Sequence, residues 1–237
     1  MKNTILALLL AACGSTLFPS DAEAGGYQWP RPSAVTVWWV IFNKPEHCFG
    51  SPYPGASCSP VDVFGQAFLD SMQNGTPDPS LIAPNLAAEP AVIYATGGTT
   101  DWLGRIRLVA SIYRTPTGQP LALPPGADPM GFGRGFENVD AEVHLVVRDH
   151  GRAKWSDLEP QITNFLDPYC SDPNLLYFAG PNACADTHFA VFGPGASGSD
   201  AVFAFADPSA PVRGAEAILR RDGDLLRAVI TTRIPRR

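Results

Sequence analysis

Apolar residues along this chain recur mostly with a period of two. Val139, Ala141, Val143, Leu145 and Val147 alternate with Asp140, Glu142, His144, Val146 and Arg148, the pattern of a strand with one face on a core. Ile106, Leu108, Ala110 and Ile112 alternate in the same way with Arg105, Arg107 and Ser111. Residues 35–42 are apolar on both faces and include the adjacent Trp38 and Trp39, so they read as a central strand covered from both sides. Residues 91–95 and 105–113 read as paired strands around a Gly-Gly turn region. Further strands are expected over 188–192 and 201–205, and in a hairpin of 215–220 with 225–232. Asp222-Gly223 supplies the two-residue turn signal of that hairpin.

A single period of 3.6 interrupts this pattern. Val61, Phe64, Phe68 and Met72 form one apolar stripe, with Ser59 as N-cap, Pro60 at the first helical position and Asp62 in the first turn. Asn74-Gly75 is its stop signal. A shorter helical piece is expected from Ser156, with Glu159 completing a capping box. Long Pro- and Gly-rich stretches join the elements. About eight short strands, one good helix and such loops predict a mainly β protein, an antiparallel β-sandwich or a flattened barrel.

The N-terminus changes the picture from fold to compartment. Lys2 precedes an apolar stretch over 5–18, Pro19 breaks it, and Ala22-Glu23-Ala24 has the small-x-small form that a signal peptidase cuts. The stretch is shorter than the ~20 residues a bilayer span needs. Residues 1–24 therefore read as a signal peptide and 25–237 as one β-sandwich-like domain that is secreted or periplasmic, without a transmembrane segment. Leu10-Ala11-Ala12-Cys13-Gly14 has the form of a lipoprotein box and leaves open an anchor through Cys13.

Four cysteines remain after Cys13, and their separations of ten and fourteen residues bracket Pro/Gly-rich loops. Local pairing, Cys48–Cys58 and Cys170–Cys184, is the simplest of the three possible connectivities. A four-thiolate zinc site would want C-x-x-C pairs, and neither pair has that spacing. The net charge of -6 on the whole chain argues against a nucleic-acid partner. The stretch 213–237 holds seven Arg against Glu216, Asp222 and Asp224, as a solvated hairpin edge or a dock for an anionic surface would.

Candidate chemistry concentrates in one run. Glu142 and His144 share a strand face, Asp149-His150-Gly151 reads as a turn at its end, and His188 stands on another strand. Imidazoles and a carboxylate converging at ~2 Å would hold a divalent transition metal. The competing reading is a ladder of charge pairs formed by Glu142, His144 and Arg148 on a partly solvated face. The segment 193–199 fails the nucleophile-elbow pattern because Ser199 stands where the last Gly belongs. Residues 131–136 lack the G-K-[ST] of a phosphate loop. Trp102, in a turn, is the best candidate among the tryptophans for stacking on a carbohydrate.

The runs Glu142-Val143-His144-Leu145-Val146-Val147-Arg148-Asp149-His150-Gly151, Val37-Trp38-Trp39-Val40-Ile41-Phe42-Asn43 and Ala91-Val92-Ile93-Tyr94-Ala95-Thr96-Gly97 resemble a group of secreted bacterial proteins with an HLVVRxHG motif. That group is similar to the chordin-type repeat domain, a β-sandwich with a His-containing strand end. The matching runs cover well under half of the chain. The chordin-type pattern sets its two His close together ahead of a Gly, whereas here they are six residues apart. The resemblance implies export and a β-sandwich, and no enzymatic activity.

The expectation is a non-enzymatic exported binding or envelope-associated protein, with a protein or glycan at the cell envelope as partner. Its rival is a metal-binding protein or metal-dependent enzyme built on Glu142, His144, His150 and His188. Trp102 and Arg148 are the candidate binding residues.

Overall fold

The computed structural model describes residues 32–51, 56–74, 78–119, 123, 127–163, 185–192, 216–222 and 224–233. The proposed signal and Cys13, the Cys170–Cys184 pair, residues 193–199 and the strand expected over 201–205 lie outside them. Within them, strand β1, Ser33–Phe42, is the axis of the molecule. Its residues Val35, Val37, Trp39 and Ile41 enter one apolar cluster, while Trp38, Val40 and Phe42 enter a second on the opposite side. The two-faced apolar run thus marks a strand covered twice, as its pattern predicts.

Six more strands follow: β2 Pro90–Thr99, β3 Arg105–Tyr113, β4 Glu142–Arg152, β5 Ala185–Phe192, β6 Glu216–Asp222 and β7 Leu225–Arg233. One sheet has the order β2-β1-β4-β5 and the other β3-β7-β6, and every pairing is antiparallel. The larger core lies between them. Val37, Trp39, Val143 and Leu145 of the first sheet meet Leu108, Ala110, Leu226 and Ile230 of the second. Each Val, Leu or Ile among them, fully buried, contributes about 1.5–3 kcal/mol. The protein is a mainly β, antiparallel two-sheet sandwich. No closed barrel forms among the described residues.

Three local expectations are corrected. First, 91–95 and 105–113 do not pair with each other. β2 runs on through Gly97 and Gly98 to Thr99 along β1, and β3 pairs with β7. The turn between them is set by the Asp101 carboxylate, which accepts the Leu103 and Arg105 amides at 2.8 Å and turns the chain into the other sheet. Second, the helix expected from Pro60 is two helices, α1 Pro60–Phe64 and α2 Gln66–Gln73, divided at Gly65 with φ of 79°. A Cβ there would sit 2.8 Å from the Ala83 carbonyl oxygen, so only glycine fits this close approach. The break shifts the helical phase, and Val63 and Phe68 are buried while Val61 and Phe64 are only half-buried. Third, Asp149-His150-Gly151 is not a turn. β4 begins later than 139 and continues through these residues to Arg152, in a register that shifts against β1 between Ser33 and Val35.

The outer face of the first sheet is covered at both ends. Toward Phe42 it lies under the Cys48–Cys58 loop, with Val63, Phe64, Ala88, Met130 and Phe132 of the same cluster. Toward Gly97 it lies against helix α3, Leu158–Thr163, where Gly97 has no room for a Cβ beside the Ile162 carbonyl oxygen at 2.9 Å. Gln161 ties this helix to β4, donating to the carbonyls of His150 and Arg152 and accepting the Lys154 amide.

Candidate functional site

The β4 register explains why its polar residues are not solvated. Glu142, His144, Val146 and Arg148 stand opposite Phe42, Val40, Trp38 and Thr36 of β1, on the face that the disulfide loop and α3 cover. The partly solvated ladder expected of Glu142, His144 and Arg148 is therefore corrected. Glu142 and His144 are buried, and Arg148, further along the strand, is half-buried.

Glu142 and His144 form a closed unit. His144 Nε2 lies 2.7 Å from Glu142 Oε1. The Cys58 amide donates to the same Oε1 at 2.9 Å, and the Ser57 amide donates to Oε2 at 2.8 Å. The Cys48–Cys58 disulfide, with its Cα atoms 5.1 Å apart, holds those amides in place, as the cysteine spacing leads one to expect. The His144 ring stands edge-on to Phe42, with centroids 5.3 Å apart. Burial pushes the Glu142 carboxyl up, but the hydrogen bond and charge of His144, with the two backbone amides, outweigh it and hold the group below the usual carboxylate range.

His150 belongs to a separate network at the far end of β4. Its Nε2 lies 2.9 Å from Thr36 Oγ1, and the Trp38 indole N–H donates to that same oxygen at 2.9 Å. Six strand residues at ~3.3 Å each separate the His144 and His150 backbones by about 20 Å. The backbone of His188 pairs with that of Val146, between the two. Glu142, His144 and His150 thus do not converge on one metal ion. No group of three His, Cys, Asp or Glu is arranged to hold a metal among the described residues. Trp102 occupies the β2–β3 turn with 59% of its surface exposed, far along the sheet from the Glu142 end.

The structure also contains a cavity of about 400 Å³ at the edge of the sandwich. Its walls are Trp39 and Ile93 from the first sheet, residues 111–116 at the end of β3, and Leu123, with Tyr94 bordering it. Arg114, one of the lining residues, donates from Nε to Asp224 Oδ1 at 2.7 Å. Trp39 is 1% exposed, and its indole Nε1 is a buried donor with no hydrogen-bond partner among the described residues. Such an orphan costs about 1–3 kcal/mol. Nothing in the sequence reading pointed to this cavity. The usable signal was the alternation around the two tryptophans. Trp38 has Thr36 as a same-face neighbour, whereas Trp39 stands between Val37 and Ile41, and neither can accept from its N–H.

No protein-family model matches this chain, and neither does any curated protein or solved structure.

Proposed function

We propose that this chain is an extracytoplasmic binding protein whose ligand enters the cavity between the two sheets. The single observation that carries the reading is that cavity, lined from the first half of β2 and the end of β3, with a volume in the ~300–1,000 Å³ range of small-molecule sites. The Cys48–Cys58 disulfide supports an oxidising compartment, in keeping with the signal-like residues 1–24. No helix among the described residues is long and apolar enough to cross a membrane. The carboxylate and imidazoles that would perform chemistry on β4 are engaged in holding loops and strands together, which favours binding over turnover.

The test is native mass spectrometry of the full chain recovered from an oxidising compartment and incubated with a pool of neutral small metabolites. The expected result is a small-molecule adduct on the native protein that is lost on denaturation and missing from Ile112→Trp, which fills the cavity from the core-facing side of β3. A bare native mass for the wild type would overturn the reading.

A second reading rests on the exposure of Trp102, an indole face available to stack on a sugar ring. It places a glycan partner at the β2–β3 turn, away from the cavity.

A further inference from the structure

The second sheet buries one face in the main core and leaves its other face bare. β3, β7 and β6 lie side by side in regular register, so alternate residues share that outer face. On β3, Arg105, Arg107, Val109, Ser111 and Tyr113 are exposed, while Ile106, Leu108 and Ala110 are buried between them. On β7 the exposed Arg227 and Thr231 alternate in the same way with the buried Leu226, Ala228 and Ile230. Arg227 pairs with Ser111, and Thr231 with Arg107. The two arginine positions are therefore about 13 Å apart along the strands, with the Val109–Val229 pair between them. The backbones of Arg233 and Arg220 stand opposite Arg105 and Arg227. The acids in these rows are Glu216, paired with Thr231, and Asp222, paired with Leu225.

Other arginines are neutralised at short range: Arg105 by Asp101, Arg114 by Asp224 and Arg134 by Glu89. Neither Arg107 nor Arg227 has an ion-pair partner among the described residues. The whole chain carries a net charge of -6, so these cations stand out against an acidic remainder. Among them Val109 is 41% exposed and Tyr113, which also lines the cavity, is 71% exposed. Tyrosine and arginine side chains both combine an apolar body with a polar tip, which suits the boundary between hydrocarbon and water. A sugar polymer would call for fixed neutral partners to its hydroxyls, and the face carries no Asn or Gln, only Ser111 and Thr231.

We propose that the outer face of the β3-β7-β6 sheet docks peripherally on an anionic lipid bilayer, with Arg107 and Arg227 as its principal contacts. Neither arginine lines the cavity, so the inference stands without the reading of the cavity as a ligand site. One basic residue near an anionic membrane surface raises partitioning about fivefold, the equivalent of ~1 kcal/mol. The acidic remainder is repelled by the same surface, which keeps the docking weak and fixes its orientation. Added salt releases it, because the attraction is screened within about 10 Å at 0.1 M ionic strength.

The test is co-sedimentation of the soluble full chain, disulfide intact, with vesicles of equimolar phosphatidylglycerol and phosphatidylcholine, and with vesicles of phosphatidylcholine alone. The wild type should bind the anionic vesicles at least about tenfold better than the neutral ones and be released from them by salt. Arg107→Gln and Arg227→Gln should each lower partitioning about fivefold, and the two together about 25-fold. Lys154→Gln removes the same charge from an exposed position beside α3, on the first sheet, and should leave partitioning unchanged. The comparison of the two vesicles on the wild type decides the question even where a variant fails to fold. An equal loss in Lys154→Gln would overturn the assignment to this face. Equal binding to neutral vesicles, or binding to neither, would overturn the docking itself. Binding to dextran sulfate without binding to anionic vesicles would give the face to an acidic polymer and overturn the bilayer as its partner.

Discussion

His144 Nε2 lies 2.7 Å from Glu142 Oε1 on one face of β4, and the backbone amides of Ser57 and Cys58 seal the carboxylate from above. The pair fastens the disulfide loop to the sheet. Removing His144 leaves the buried carboxylate with its two backbone amides alone, and losing one partner of a buried hydrogen-bonded group costs about 1–3 kcal/mol. His144→Ala should therefore lower the denaturation free energy by that order, and Glu142→Gln by less, because the amide still accepts from one backbone N–H. Urea unfolding followed by tryptophan emission measures both; a loss below about 0.5 kcal/mol, the range of ordinary surface changes, would contradict the role.

The same carboxylate predicts a pH dependence. Its folded-state value lies below the ordinary 4.5 of a glutamate, so the unfolded chain takes up the proton first as pH falls. The stabilisation is fully present above about 4.5 and is lost as pH drops through the lower folded value. The stability gap between wild type and Glu142→Gln should accordingly shrink as pH falls below ~4. Unfolding curves at stepped pH check the sign; a gap that widens in acid would reverse it.

Reduction of Cys48–Cys58 should cost about 2–3 kcal/mol by releasing a ten-residue loop. It should also loosen the Ser57 and Cys58 amides from Glu142. The paired Cys48→Ser, Cys58→Ser variant and Glu142→Gln are then coupled, and their combined loss should fall short of additivity by at least about 0.5 kcal/mol. Strict additivity in a double-mutant cycle would show that loop and carboxylate act independently.

Gly65→Ala places a Cβ 2.8 Å from the Ala83 carbonyl oxygen at a φ of 79°. We expect a loss of roughly 1–3 kcal/mol, seen as a lower midpoint in thermal unfolding. An unchanged midpoint would mean that α1 and α2 rejoin as the continuous helix the sequence suggests.

Trp102→Ser should leave stability within about 0.5 kcal/mol of the wild type, since most of the indole is in solvent. Glycan-array binding by the wild type that this variant loses would favour the carbohydrate reading; no binding by the wild type would remove it.

The two-faced β1, the half-buried β3, the pairing of β6 with β7 and the Cys48–Cys58 pair were all legible, because each depends on local alternation or spacing. Sheet membership was not. The alternation in residues 91–95 and 105–113 is the same whether they pair with each other or with strands far along the chain. The fate of Glu142 and His144 was also hidden. Their face of β4 looks polar in sequence, and its burial depends on a loop that arrives from Ser57 and Cys58. Convergence of His144 with His150 failed for a simpler reason. Six residues of extended chain are a long way, and only a turn at Asp149 would have shortened it.

The pairing of β3 with β7 joins Arg105 to Arg233 and Tyr113 to Leu225, across about half the chain. During synthesis the second sheet has no partner for β3 until residues 225–233 have emerged, so the two-sheet core stays incomplete until then. Contacts this distant in sequence also slow folding. Loss of the final hairpin would leave β3 with an unpaired edge and would strip Leu226, Ala228 and Ile230 from the main core.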